Sequence, residues 1–188
     1  MTRHIFTILL ATVLPLLAPS AHAEKADAQK EKKITADHTD VDNVKQIYTY
    51  TGNVVVTQGT LILKGAKLVD VTTKEGYNFA TLYAAAGGRA TMRQKRDGGA
   101  DLWMEGEASD RITYDEKSSK AELFANAKVR RLTGVRTTDE SDGAYLSYNS
   151  QTEIVSGANN ESGVSKPGEG QVTVTIQPHL PPETPKAK

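Results

Sequence analysis

The sequence predicts an all-β protein built from stacked antiparallel hairpins, either a jelly roll or a solenoid-like sandwich. Short runs in which apolar and polar residues alternate fill the middle of the chain, and helical periodicity is almost absent there. A strand-turn-strand pattern also recurs: Asp42 lies eleven residues before Asn53 and Asp115 eleven before Asn126, an offset of 126 − 53 = 73. A looser third copy starts at Asp142, with a slightly shortened turn. Because one hairpin cannot bury a face alone, we expect the copies to stack into one elongated structure.

The two ends of the chain differ in composition from its middle. Residues 1–23 combine a short apolar run with Ala21-His22-Ala23, the small-x-small pattern of a secretory signal peptide. Residues 24–33 are charged and are expected to form a flexible linker. The β domain is expected over residues 34–177, and the proline-rich residues 178–188 are expected to be a disordered tail. The chain has no cysteine, so the fold must hold without disulfides.

Alternation assigns a face to each side chain of the expected strands. In the phrase TGNVVVTQG, Val54 and Val56 are predicted to face inward and Val55 and Thr57 outward, with a turn at Gln58-Gly59 that leads into a returning strand. The same reasoning gives an apolar interior lined by Ile34, Val54, Val56, Leu61, Leu63, Met92, Ile112, Tyr114, Leu123 and Val129, and continued by Leu146, Ile154 and Val174. These side chains form either a closed core or an open trough.

Several kinds of chemistry are not indicated by the sequence. Of the four histidines, only His38 and His179 lie outside the predicted signal peptide, at opposite ends of the chain, so we predict no catalytic or metal site built on histidine. The phosphate-cradling G-x-x-x-x-G-K-[ST] phrase is absent, and we expect no cofactor. Nearby carboxylates keep open one alternative, a secreted glycan-active enzyme on a β scaffold; they are Asp139, Glu140 and Asp142, and Glu105 with Glu107. A second alternative is a structural β-solenoid or adhesin module.

Two basic clusters, MRQKR at residues 92–96 and KVRRLTGVR at residues 128–136, stand out in a chain of balanced charge. The 23 lysines and arginines match the 23 aspartates and glutamates, which predicts no general attraction to nucleic acid. The clusters are either solvated strand faces or a cationic rim that contacts phosphates, for which Arg93, Lys95 and Arg96 are the candidates.

Three phrases resemble one known family. TGNVVVTQGTLILKGAKLVD, RATMRQKRDG and MEGEASDRITYDEKSSKAELFANAKV are similar, in this order, to the OstA-like LptA family of lipopolysaccharide export. The resemblance spans about residues 34–176. It implies a twisted, slightly open β jelly roll, a periplasmic location and no enzymatic activity. It also implies that the apolar interior binds the lipid A acyl chains of lipopolysaccharide.

The resemblance further implies a bridge between the two membranes. The expected partners are an LptC-like protein of the inner membrane, an LptD-like protein of the outer membrane, and further copies of the chain joined head to tail. Unpaired backbone groups at the two sheet ends, near Ile34 to Val41 and Val172 to Ile176, are the expected joining edges. The phrase GEASDRITY is one residue longer than the usual family phrase, which predicts a bulge that displaces Tyr114.

Overall fold

The computed structural model describes residue 27 and residues 29–178. The predicted signal peptide and nearly all of the predicted tail lie outside these residues. The described part forms a single antiparallel sheet, which confirms the all-β prediction. No helix in it is long and apolar enough to cross a membrane. The twelve strands are β1 Lys32–Thr35, β2 His38–Asp42, β3 Ile47–Gln58, β4 Leu61–Thr72, β5 Asn78–Tyr83, β6 Ala90–Lys95, β7 Leu102–Ala108, β8 Arg111–Asp115, β9 Lys120–Thr133, β10 Arg136–Asn149, β11 Ile154–Ala158 and β12 Thr173–Ile176.

Four long strands, β3, β4, β9 and β10, change pairing partners at their midpoints and divide the sheet into two halves. Half I has the order β2-β3-β4-β5-β8-β9-β10-β11. Half II has the order β1-β3-β4-β6-β7-β9-β10-β12. Each long strand bends where it passes from one half to the other. The two halves therefore face each other and enclose one apolar cluster.

The bends and the turns lie on opposite sides of this folded sheet. The bends form one long side, which we call the closed edge. The hairpin turns of both halves end on the other long side, which we call the mouth. The turn predicted at Gln58-Gly59 is present as a two-residue loop, residues 59–60, with Gly59 at φ 59°. A positive φ at the first loop residue alone is the pattern of a type II′ turn, which glycine accepts without strain.

The internal repeat marks the bends. Asn53 and Asn126, which are 73 residues apart, both have φ 45° and both stand where a long strand passes from one half to the other. Asparagine tolerates this left-handed conformation better than most residues do, and Gly52 beside Asn53 has φ 80°. The side chain of Asn53 donates to Asp37 at 2.8 Å, which fixes the bend against the link between β1 and β2.

Three turns of half I share one construction. Each begins with an Asp or Asn whose side chain accepts hydrogen bonds from the turn, and each ends with a residue of positive φ. All three loops have four residues, so the third turn is not shortened and the prediction from sequence is wrong here. Ile154 is the first residue after the third loop, as Lys120 is after the second. The loops are residues 43–46, 116–119 and 150–153, after Asp42, Asp115 and Asn149, and the positive-φ residues are Gln46, Ser119 and Glu153.

The turn carboxylates predict an acid-sensitive contribution to stability. Hydrogen bonds from the Ser118 hydroxyl and the Lys117 and Ser118 amides hold the pKa of Asp115 below its usual value of 3.8. Because the pKa is lowered in the folded state, this stabilisation is present above about pH 4 and is lost as the pH falls through the folded pKa. We expect Asp115→Ala to lower the free energy of unfolding by about 1 kcal/mol at neutral pH.

Asp115→Asn is the matched control, because it keeps an acceptor oxygen as Asn149 does in the third turn. We expect it to cost less than the alanine variant and to flatten the pH dependence. Denaturant unfolding of the three proteins between neutral pH and about pH 3 tests this, and an alanine penalty that is the same at every pH would contradict it.

Candidate functional site

The inward faces of both halves form one continuous apolar interior. Alternation along the strands determines this: in β3, Val54 and Val56 are buried, while Val55 and Thr57 lie on the outer face and are only partly covered. Eight of the ten residues assigned to the interior from sequence are buried, and Ile34 and Tyr114 are partly buried against them. The buried eight are Val54, Val56, Leu61, Leu63, Met92, Ile112, Leu123 and Val129.

The middle of the interior is closely packed. Gly106 of β7 faces inward, and a Cβ placed there would lie 2.8 Å from Cγ of Met92 and 2.9 Å from Cδ2 of Leu123. Leu123 belongs to half I and Gly106 to half II, so the two halves touch directly at this glycine. Leu123 is 0% exposed. An alkyl chain can therefore reach the middle of the interior only when the two halves separate.

Polarity rises from the closed edge towards the mouth. Three polar side chains near the mouth, Gln58, Asp70 and Gln94, are buried in line with apolar residues of the same strands. Burial raises the pKa of Asp70, and the ammonium of Lys32 offsets this only in part. The interior predicted from the sequence does not include Asp70. Its position two residues after Leu68 was the available signal, because both face the same side of β4.

Three polar contacts cross the mouth and connect the two halves. Lys32 of half II lies 3.6 Å from Oδ2 of Asp70 in half I. Near the other end, Arg96 beside half II bonds the carboxylate of Glu153 in half I at 2.5 Å. Arg131 donates to the backbone carbonyl of the same Glu153 at 2.6 Å. These contacts hold the mouth narrow above the apolar interior.

The start of the described chain is attached to the mouth of half II. The carboxylate of Asp27 accepts hydrogen bonds from the Thr60 amide at 2.7 Å and its hydroxyl at 2.5 Å, and from Gln94 at 3.2 Å. Strand β1 then begins at Lys32, two residues before the expected start of the domain. Part of the segment expected to be a flexible linker is therefore ordered, because its polar residues find partners in distant strands.

The interior opens to the surface in two places. A cavity of about 20 Å³ lies beside β1, between Ile34, Leu68 and Tyr114 and the Lys32–Asp70 pair. A wider groove of about 420 Å³ lies between β11 and β12. Ile154 and Val174, which the sequence placed inside, are each 58% exposed and line this groove instead. Val174 is exposed because no further strand pairs beyond β12 among the described residues. Ile154 is exposed because the next residue, Val155, packs against the interior, so alternation turns Ile154 outward.

Two of the three candidate phosphate-binding residues face away from the interior. Met92 and Gln94 of β6 point inward, so Arg93 and Lys95 lie on the outer face of half II. Arg93 pairs with Glu105 at 2.6 Å and stacks 4.3 Å from the Trp103 ring. This corrects the expectation that all three surround the opening. Arg96 does lie at the mouth. Arg131, which the sequence pattern did not single out, points there too.

Four of the five nominal catalytic carboxylates have basic partners on the outer face of half II, whereas Asp139 accepts a hydrogen bond from the Thr138 hydroxyl at 2.8 Å and lines the groove between β11 and β12. Glu105 contacts Arg93 and Arg130, and Glu107 contacts Arg130 and Arg89. Lys128 bonds Glu140 at 2.8 Å and Asp142 at 3.0 Å. These are cross-strand pairs on a sheet surface rather than two acids facing each other in a cleft. No cluster of three or more potential metal ligands occurs in the described part of the chain.

Comparison with known proteins gives a consistent result. The family model described as "LptA/(LptD N-terminal domain) LPS transport protein" matches residues 33–154. The chain belongs to this family. Curated relatives include the lipopolysaccharide export system protein LptA of Haemophilus influenzae, 26% identical over 171 residues, which cover 91% of each chain. LptA of Escherichia coli K12 is 30% identical over 125 residues, 66% of this chain and 65% of the relative.

A solved structure supports the fold independently of sequence. The fold is similar to that of LptH of Pseudomonas aeruginosa, described as "the LptA homologous periplasmic component of the conserved lipopolysaccharide transport device". The TM-score is 0.69 at 22% identity, over 81% of this chain and 99% of that one. Together these findings confirm the resemblance, the open jelly-roll fold and the prediction of a transport protein rather than an enzyme. They do not favour the adhesin or glycan-active alternatives.

One predicted departure from the family does not occur. Strands β7 and β8 are joined by Ser109 and Asp110, and β8 pairs with β5 and β9 without any register shift. Tyr114 stands opposite Ala80 on one side and Ala121 on the other, facing inward. The extra residue of the phrase GEASDRITY therefore causes no bulge at Tyr114.

The close contact at Gly106 predicts that this position does not accept a side chain. We expect Gly106→Ala to lower the free energy of unfolding by about 1–3 kcal/mol, because the new methyl overlaps Met92 and Leu123. Gly99→Ala is the control, since its Cβ would lie at an ordinary 3.4 Å from Leu102. Chemical denaturation of both variants measures the difference, and equal stabilities would show that the halves are not in tight contact here.

Proposed function

We propose that this protein binds lipopolysaccharide by its acyl chains between the two halves of the sheet and carries it through the periplasm towards the outer membrane. The observation that carries the proposal is the interior, in which one apolar cluster is shared by both halves and bounded by polar groups towards the mouth. Membership of the lipopolysaccharide transport family and the printed descriptions of LptA and LptH support the choice of ligand and the location.

Burial of an acyl chain can offset the cost of opening the interior. Each buried methylene contributes roughly 0.8 kcal/mol, so a chain of about twelve carbons gains at most on the order of 9 kcal/mol. The opening removes contacts such as that between Gly106 and Leu123 and breaks the polar contacts across the mouth. Since the apolar gain is non-directional, the chain can slide along the interior without breaking any specific bond.

The sugars and phosphates of the ligand remain outside the mouth in this proposal. Arg96 is the candidate for a phosphate contact, because it faces the mouth and already binds an anionic oxygen of Glu153. A phosphate could replace that carboxylate when the halves separate. Arg93 and Lys95 are not part of this proposal, because they lie on the outer face.

We further propose that the ends of the sheet join copies of the chain head to tail and join the bridge to LptC-like and LptD-like partners. β1 and β2 form one end, and β11 and β12 form the other. Ile176 of β12 is 67% exposed, and Val41 of β2 is 49% exposed. Pairing unlike ends gives an open rod whose interiors are continuous. The family description includes the N-terminal domain of LptD, so the same kind of edge is expected in that partner.

Site-specific photo-crosslinking tests the lipid site. A photoreactive residue at Val56, Met92 or Tyr114 is expected to label lipopolysaccharide in cells, because these side chains face the interior. The same residue at Val55 or Thr57, on the outer face of β3, is expected to give only background labelling. Labelling from the outer positions alone would contradict the proposal.

Charged substitutions at the β12 edge test the bridge. We expect Val174→Lys with Ile176→Lys to weaken head-to-tail assembly at least about tenfold, because lysine at an exposed edge opposes strand addition. Val135→Lys is the matched control: Val135 is 96% exposed but lies in the β9–β10 turn, away from the sheet ends. Analytical ultracentrifugation measures both, and an equal effect of the two changes would count against edge pairing.

A further inference from the structure

A buried ion pair interrupts the apolar interior beside β1. Asp70 is 7% exposed, although six of the residues around it in the small cavity are aliphatic. Its Oδ1 atom accepts no hydrogen bond from any described residue, while Oδ2 faces the Lys32 ammonium at 3.6 Å. A buried carboxylate oxygen without a donor is costly in such surroundings. These aliphatic neighbours are Ile34, Val56, Leu61, Leu63, Leu68 and Ala80.

The pair lies at the boundary between the apolar interior and the polar rim. The cavity that contains it is also lined by the polar side chains of Gln58, Asn78 and Glu116. An alkyl chain lying on the apolar floor would therefore place the group that links it to its head beside Asp70 and Lys32. Asp70 offers an acceptor at this point, and the Lys32 ammonium, which has three donors, can also bond an oxygen of the ligand.

We propose that Asp70 and Lys32 form a polar clasp that recognises an acyl chain whose linkage carries both a hydrogen-bond donor and an acceptor. A secondary amide fits, since its N–H can donate to Oδ1 of Asp70 while its carbonyl accepts from Lys32. A chain with a hydroxyl near its carbonyl fits in the same way. A plain ester lacks the donor and leaves Oδ1 unsatisfied. This inference rests on the proposed function, because the chain must first enter the interior.

The charged groups around the clasp favour a neutral hydrogen-bond donor on the ligand. Lys32 is the cation closest to Asp70, and Glu116 and the Tyr50 hydroxyl are near enough to interact with it electrostatically. Glu116 is itself engaged by the amide and side chain of Asn78, at 2.9 and 3.0 Å. A neutral ligand donor therefore adds no charge to the site and bonds the one buried carboxylate oxygen that is left without a hydrogen bond among the described residues.

Two neutral probes that differ in one N–H group test the clasp. N-methyltetradecanamide has the donor, and N,N-dimethyltetradecanamide lacks it but has the same alkyl chain. We expect the wild-type protein to bind the first at least about fivefold more tightly, since a hydrogen bond to a buried charged acceptor outweighs one extra methyl group. Competition with an environment-sensitive fluorescent fatty acid measures both affinities on the full mature chain.

Variants separate the clasp from the interior as a whole. We expect Asp70→Leu to bind both amides without preference. Asp70→Asn is the second variant in case Asp70→Leu does not fold, and we expect it to show a reduced preference. Glu105→Gln, on the outer face, is the control that keeps the wild-type preference. Equal binding of the amides by the wild-type protein would overturn the clasp and leave lipid binding intact. If neither amide binds, the clasp is also overturned, and a parallel titration with lipopolysaccharide shows whether the proposed function fails with it.

Discussion

The bend at the middle of four long strands is the constraint on which the rest of the structure depends. Left-handed residues at Asn53 and Asn126 turn β3 and β9 from one half of the sheet to the other, and β4 and β10 bend beside them. This places every inward side chain of one half opposite those of the other. It also leaves one long side without covalent closure, because the hairpin turns end there. The apolar interior and its mouth therefore both follow from the geometry of the bent strands.

The interior is held closed by two kinds of interaction with different properties. Apolar packing, as between Gly106 and Leu123, is distributed along the halves, and a ligand made of methylene groups can replace it with similar contacts. The polar contacts of Asp70 and Glu153 across the mouth are few and directional, and a hydrocarbon cannot replace them. In the proposed function, the first kind sets the affinity for acyl chains. The second determines where polar parts of the proposed ligand are accepted.

Sequence alone gave most of the interior and little of the mouth. Alternation in TGNVVVTQG assigned Val54 and Val56 correctly because the pattern is local and the period of a strand is fixed. The joining edge expected near Ile34 to Val41 consists of two strands, β1 and β2. They are separated where the Asp37 amide donates to the Gly52 carbonyl, a contact between residues far apart in the chain. The pairing of Arg96 with Glu153 likewise depends on how the halves face each other, which no local pattern records.

The most direct test of the proposed lipid binding between the two halves is the width of the mouth with and without lipopolysaccharide. The chain has no native cysteine, so Lys117→Cys in a half I turn and Asp101→Cys in a half II turn provide the only two sites for spin labels. Pulsed electron–electron double resonance then measures the distance between the two spin labels across the mouth. We expect bound lipopolysaccharide to lengthen this distance by several ångström, because the buried interior must open to admit an acyl chain. An unchanged distance in a sample shown to hold lipopolysaccharide would contradict it.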